Sequence, residues 1–252
     1  MTGHPFTDHG RRTFLRLAGS VLAVVALGAQ AHGAGAQATG SPVKIGMVGA
    51  GREGGALGTL FVKAGHPVTF ASRHPENLKG LVAGLGPLAQ AGTVAEAIAF
   101  GEVVVIAIPY AAMEQIGKAH AGALAQKALV IDVSNPIARR DGEDFVKSVG
   151  AQGGAGLVTA KLLPGAPIVR AFNAIGSGRL AGLAHRAGEP VGVPIAGDDP
   201  QAIAVAQRLI REIGFEPVLV GGLAMGRHLV PGTPLGGEHT AAEIRQIAGS
   251  LH

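Results

Sequence analysis

The chain has 252 residues, 41 of them glycine, with 47% apolar and 4% aromatic content, enough for one sizeable α/β core or a core with a small appended lobe. It contains no cysteine, which excludes disulfides, thiolate nucleophiles, iron–sulfur clusters and cysteine zinc sites. Its formal net charge of +4 does not mark a nucleic-acid partner: Arg11, Arg12, Arg16 and Asp8 account for two of those charges, and no basic stripe with interleaved aromatics follows.

Residues 1–38 read as a cleaved signal peptide, with a basic start, an apolar run from Leu17 to Leu27 and small residues ending in Ala36-Gln37-Ala38. That run is shorter than the roughly 20 apolar residues a membrane span needs, so no stable membrane span is expected. Arg11-Arg12-Thr13-Phe14-Leu15 resembles the twin-arginine export signal. The resemblance implies the twin-arginine export machinery as a partner, a periplasmic or otherwise exported location, and passage as a folded protein that can carry its cofactor. Cleavage after Ala38 leaves 214 residues at a formal charge of +2, and cleavage after Ala31 is the alternative.

From Pro42 onward, short β-branched runs alternate with longer alanine-rich stretches. Val43 to Val48 predicts a strand buried on both faces. Arg52 to Ala64 carries Ala56, Leu57, Leu60, Phe61 and Ala64 at helical spacing, with Gly65 as its stop. "HPVTFASR" is a second strand, "PENLKGLVAGL" a helix opened by proline, and "TVAEAIAFG" a short helix with a Thr93–Glu96 capping box. "EVVVIAIP" and "ALVIDVSNP" are buried strands ended by proline, whereas "ARRDGEDFVKSVGAQGG" predicts a loop with at most a frayed helix. "LVTAKLL" is a helix and "APIVRAFN" a strand. "EPVGVPIAGDD" and "FEPVLVGG" are strands around the helix "PQAIAVAQRLIREIG", and a Thr240–Glu243 box opens a last helix. The expectation is a Rossmann-type, doubly wound, mainly parallel sheet. Residues 43–175 would form its main domain, and 176–252 a C-terminal α/β extension completing the same unit.

The chemistry centres on "GMVGAGREGG". Gly49, Gly51 and Gly54 form G-x-G-x-x-G directly after a buried strand and at the opening of a helix, the context a dinucleotide loop requires. Gly49 permits the tight turn, Gly51 admits the pyrophosphate, and Gly54 lets helix and strand pack. Ala50, Arg52 and Glu53 complete the loop. At the end of the second strand an NAD site would place an acid for the ribose 2′-hydroxyl. This chain has Ala71-Ser72-Arg73-His74 instead, where Ser72 donates a hydrogen bond and Arg73 offers a fork for a phosphate, so the cofactor is read as NADP. The other strand ends supply Ala107, Ile108 and Pro109, then Asn135 and Pro136, then Phe172 and Asn173, facing the nicotinamide side. For Asn135 and Asn173 a turn role, bonding their own backbone, is an equal reading. Tyr110, the only tyrosine, is expected to pack at the crevice rim.

"KIGMVGAGREGGALG", "GHPVTFASRHPENL", "VVVIAIPYAAMEQI", "VIDVSNPI", "LLPGAPIVRAFNAIG" and "IAGDDPQAIAVAQRLIREIGFEPVLVG" together resemble the F-420-dependent NADP oxidoreductase family. The resemblance runs from residue 43 to about 230. It implies a Rossmann fold holding NADP at Gly49, Gly51, Ser72 and Arg73, with nicotinamide-side contacts near Ile108, Pro109, Asn135 and the Ala171-Phe172-Asn173 turn. It also implies hydride transfer between NADPH and an 8-hydroxy-5-deazaflavin; related modules reduce flavin, which passes electrons to ferric or cupric ions. Glu53 departs from the family, where an apolar residue is usual, and so does the segment 138–154.

Hydride transfer between stacked rings needs no protein nucleophile, and no catalytic side chain or metal ligand is expected. The partner is a small-molecule redox acceptor, deazaflavin or flavin; the sequence is compatible with a homodimer. A non-catalytic dinucleotide-binding protein and a reductase of small imines or carbonyls are the alternatives. Glu53 is expected to tune the nicotinamide end rather than the phosphates, with a solvated surface carboxylate as the plainer reading.

Overall fold

The computed structural model describes residues 40–251, so the signal-peptide reading of 1–38 lies outside the described residues. Eight strands form one sheet: β1 (Ile45–Val48), β2 (Val68–Ala71), β3 (Ala89–Gly92), β4 (Val103–Ile106), β5 (Leu129–Asp132), β6 (Ile168–Arg170), β7 (Gly192–Gly197) and β8 (Glu216–Gly221). Their order is β3-β2-β1-β4-β5-β6-β7-β8. Neighbours run parallel except β6 and β7, which are antiparallel. The chain winds outward from β1 in both directions, first to β3 and then back across to β4. Strand order therefore reverses between β1 and β4, and a crevice opens beyond their carboxyl ends.

The inner strands are buried at every position because helices cover both faces. Period-two alternation divides their side chains between two cores. Ile45, Met47, Val103, Val105, Leu129 and Ile131 enter one core, and Val48, Val104, Ile106 and Val130 the other. The helices are α1 (Arg52–Lys63), α2 (Lys79–Leu85), α3 (Val94–Phe100), α4 (Met113–Leu124), α5 (Ala138–Asp141), α6 (Glu143–Ala151), α7 (Ala155–Leu162), α8 (Ser177–Leu183), α9 (Pro200–Glu212) and α10 (Ala241–Gly249). Both capping boxes form, Thr93 with Glu96 at α3 and Thr240 with Glu243 at α10. The described residues form a single compact unit.

The segment expected to be largely loop, residues 138–154, is helical instead, as α5 and α6. Gly142 at φ +92° breaks one from the other. Glu143 and Asp144 sit favourably in the first turn of α6, while Val149 is its one buried anchor, which is why the apolar period is faint. Strand β3 and helices α4 and α8 are additions to the sequence reading. The four residues of β3, Ala-Gln-Ala-Gly, include no β-branched side chain, so pairing with β2 rather than propensity makes them a strand.

Candidate active site

At the switch point the three loop glycines occupy three different environments. Gly49 sits at φ +97°, and a Cβ there would come within 2.4 Å of the Ala107 carbonyl oxygen. A Cβ on Gly54 would lie 1.9 Å from the Gly49 oxygen, so only glycine lets α1 start this close to β1. At Gly51 a Cβ would meet nothing within 4 Å. That open face belongs to the N-cap of α1, which has no side-chain cap, so the first backbone N–H groups of the helix are free for an anion. Gly49 and Ala50 both donate to the Ala71 carbonyl, at 3.1 and 2.9 Å, which ties the loop to the end of β2.

Ser72 and Arg73 follow on that end of β2. The Ser72 hydroxyl accepts from the His74 N–H at 3.1 Å, forming a small turn. His74 in turn meets Glu76 at 3.1 Å. Arg73 is exposed and, among the described residues, makes no ion pair. An uncapped helix start and a free guanidinium at the end of β2 fit the pyrophosphate and the 2′-phosphate of NADP, respectively.

A cleft of about 580 Å³ extends from this loop along the strand ends. Of the residues expected to hold the cofactor, Gly51, Arg52, Glu53, Ala107, Ile108, Pro109, Asn135, Phe172 and Asn173 line it. Gly49, Ala50, Gly54, Ser72, Arg73 and Pro136 do not; the first three shape the loop, and Ser72 and Arg73 lie beyond it on β2. Ile137, Arg139, Arg140, Ile175, Ser177 and Pro231 also face the cleft, outside the sequence expectation. The two arginines come from the unrecognised α5. Ile175 and Ser177 come from the turn into α8.

A buried polar network supports the far wall. Arg170 and Asp132 are both fully buried and paired to each other. Asp132 also accepts from Ser134 N–H and from the Thr159 hydroxyl, each at 2.9 Å. Arg170 donates to the Ser134 carbonyl at 3.1 Å and to Asn135 Oδ1 at 3.0 Å. Asn135 Nδ2 donates to the Asn173 carbonyl at 2.7 Å, and Asn173 Nδ2 to that of Asp132 at 3.1 Å. The asparagines therefore bridge the β5 and β6 ends rather than folding onto their own backbones. Asn173 Oδ1 remains buried without a partner at the cleft. Phe172 at φ +62° is held in the left-handed region, which for a bulky residue costs about 1–3 kcal/mol. Its ring packs edge-on against Phe215 at 5.5 Å. This strained turn aims Asn173 at the cleft wall.

Tyr110 is not at the rim. It is buried, donates to the Ala155 carbonyl at 2.7 Å and lies 3.0 Å from the Thr159 hydroxyl. Burial, then the Asp132 charge, pushes its hydroxyl up to about 12, so it holds its proton in place. Charged residues inside otherwise apolar strands, Asp132 in "VIDVSNP" and Arg170 in "IVRAFN", were the sequence signal for this network.

Glu53 is half-buried in the cleft wall, in the first turn of α1. Its Oε1 is buried without a hydrogen-bond partner. Burial raises the carboxyl from its ordinary 4.5 to about 7, partly offset by the Ser177 backbone N–H. The solvated surface reading does not hold.

Residues 44–136 match the family model described as NADP oxidoreductase, coenzyme F420-dependent. The chain is 30% identical over 192 residues to the metalloreductase STEAP3 of Rattus norvegicus, a match covering 74% of this chain and 35% of that protein. The chain thus spans about a third of the length of that relative. Among solved structures, a hypothetical protein of Sinorhizobium meliloti is 25% identical at a TM-score of 0.63, over 79% of this chain and 95% of that one. A candidate F420-dependent NADP-reductase of Arthrobacter sp. FB24 shares the fold at 21% identity and the same TM-score, over 84% and 95%. An imine reductase of Pseudomonas sp. shares it at 17% identity and a TM-score of 0.52, over 72% and 56%. The glycine loop and the family match over residues 44–136 are those of an NADP-binding module similar to the one in NADP-dependent oxidoreductases.

Proposed function

We propose that the chain transfers a hydride between NADPH and a deazaflavin (coenzyme F-420) or flavin-like ring bound in the cleft. The observation that carries this is the make-up of the cleft lining. Ile108, Pro109, Ile137, Phe172, Ile175 and Pro231 offer apolar walls, and Arg52, Arg139 and Arg140 stand around them. A flat apolar ring with an acidic appendage suits such a site; a small neutral imine would leave Arg52 and Arg139 unused. The family match and the metalloreductase relative both favour redox chemistry of this kind.

NADP supplies the hydride chemistry when bound. The chain's own residues do the rest. The uncapped start of α1 receives the pyrophosphate, and Arg73 takes the 2′-phosphate by charge-assisted hydrogen bonds. Asn173 Oδ1 offers an unused acceptor to the cofactor or acceptor ring. The walls exclude water and hold the reacting atoms in a near-attack pose, which can supply much of the rate without a protein nucleophile.

Anaerobic mixing of the purified protein with NADPH and, in turn, a deazaflavin, FMN, FAD and a cyclic imine tests the assignment. Loss of NADPH absorbance with a deazaflavin or flavin is expected. Turnover with the imine alone points to the small-carbonyl reading, and tight NADPH binding without turnover to a non-catalytic binder. Metal reduction through a reduced flavin is checked by adding ferric or cupric chelates to the active pair. The leader at 1–38 supports an exported site of action, to be checked by fractionation of cells carrying the intact protein and the Arg11→Lys/Arg12→Lys double variant; only the intact leader should deliver protein outside the cytoplasm.

A further inference from the structure

Glu53 is the feature that hydride transfer alone does not use. Its backbone lies in the first turn of α1, next to Gly51, and its side chain forms part of the same cleft wall as Ile108, Asn135 and Phe172. Helix α8 packs against α1 and brings the Ser177 N–H to the carboxyl. One oxygen, Oε1, is sealed from solvent with nothing to bond to. A carboxylate in that position would be short of a donor. The neutral carboxylic acid is favoured there, and because Glu53 lines the cleft its proton can reach an incoming ligand from the other carboxyl oxygen.

The charged surroundings are few. Arg52 adjoins Glu53 on α1 but is exposed, and Arg139 and Arg140 stand on α5 at the cleft, Arg140 bonded to Asp141 and to the Asn135 carbonyl. On α8 the one charged side chain, Arg179, is engaged with Glu238. The exits of β4, β5 and β6 that line the cleft contribute no titratable group. Burial, not a neighbouring charge, is the main cause that keeps the carboxyl protonated up to about pH 7.

We propose that Glu53 is the proton donor to the acceptor ring, an inference that rests on the hydride-transfer reading above. In the reductive direction the acceptor carbon or nitrogen gains the hydride, with its electron pair, as the C4–H bond of NADPH breaks. A ring nitrogen of the same acceptor gains the proton as the Glu53 O–H bond breaks. NADP⁺, the reduced ring and a Glu53 carboxylate remain, and water at the cleft mouth reprotonates the carboxylate. The raised carboxyl suits this role, because a general acid works best when it titrates near the operating pH.

The test compares wild type, Glu53→Gln and Glu53→Ala with NADPH and whichever deazaflavin or flavin the wild type turns over. For wild type, kcat should fall above about pH 7 and show a solvent deuterium isotope effect. Glu53→Gln should lower kcat by about 10²-fold, abolish that pH limb and lose the isotope effect. Added formate should restore part of the Glu53→Ala activity. NADPH affinity, read by fluorescence, should stay within about threefold and shows that the variants fold. Infrared difference spectra of the ligand-free protein should contain a protonated-carboxyl band that titrates in wild type and is missing in Glu53→Gln. Unchanged pH profile and isotope effect in a Glu53→Gln enzyme that still turns over would overturn the donor role while leaving the reductase reading intact. Absence of wild-type turnover with every acceptor overturns both.

Discussion

On the proposed reading, cofactor choice rests on one side chain. Arg73 is exposed at the end of β2 with no carboxylate partner among the described residues, while Ser72 spends its lone pair on the His74 N–H. A charge-assisted bond to a 2′-phosphate is worth about 1.5–3 kcal/mol. Arg73→Ala should therefore weaken NADPH binding by about 10–100-fold and leave NADH binding nearly unchanged, in a fluorescence titration of both nucleotides. Glu53 makes a second, independent prediction about stability. Its carboxyl is raised in the folded protein from 4.5 to about 7, so the charged form is disfavoured by folding. Below pH 4.5 the two states bind the same proton and nothing is lost. Stability falls as pH rises through about 7, and above that the whole cost is present. Glu53→Gln should stabilise the ligand-free protein by about 1–3 kcal/mol at pH 8 and by nothing at pH 4, measured by urea denaturation at both. The sequence displayed the anomaly at residue 53, but burial, the property that gives it meaning, depends on α8 arriving from more than a hundred residues away.

At the scale of elements, β5 and β6 meet through a buried charge pair that fixes the strand ends beside the cleft. Arg170 runs between Gly156 on α7 and Gly226, where added Cβ atoms would lie 3.2 and 2.6 Å from its side chain. Replacing Asp132 with asparagine keeps the shape but leaves this guanidinium buried without its counter-charge, a change that typically costs about 3–5 kcal/mol. Asp132→Asn should lower stability by that order and also loosen Asn135 and Asn173, raising the Kd for NADPH; Arg170→Met leaves Asp132 as the unpaired buried charge and should cost stability of the same order while removing the donor that holds Asn135. Calorimetry and nucleotide titration on the two variants separate these effects. The sequence made the strands legible because apolar β-branched runs such as "VVVI" and "LVID" have few other fates. It hid α5 and α6, whose single buried anchor gives no period, and with them Arg139 and Arg140. It hid the function of Asp132 and Arg170 because each is a lone charge in its own strand, and only the parallel pairing of Asp132 with Arg170 brings them together.

Across the whole molecule, one carboxylate joins three distant parts of the chain. Glu212, at the end of α9, accepts from the Gly40 N–H and from Arg208, each at 3.0 Å. Its other oxygen meets Nε2 of the buried His66 at 3.0 Å. Val43 N–H points at His66 Nδ1 from 3.2 Å, so Nε2 is left to carry the hydrogen toward Glu212. The segment entering β1, the turn between α1 and β2, and the helix behind β5 to β8 are thereby fastened at one point. Glu212→Ala would strand the ring N–H of the buried His66 and release the Gly40 N–H, and an unsatisfied buried donor costs about 1–3 kcal/mol. The expected result is a lower urea midpoint with an unchanged slope, because the damage is to one junction and not to the surface exposed on unfolding. Far-UV dichroism and amide exchange at Ile45 should report the same midpoint if the two halves of the sheet unfold together. Separate midpoints in the variant would show that Glu212 is what couples the glycine-loop half of the sheet to β7 and β8, and an unmoved midpoint would show that the junction contributes nothing to holding them as one body.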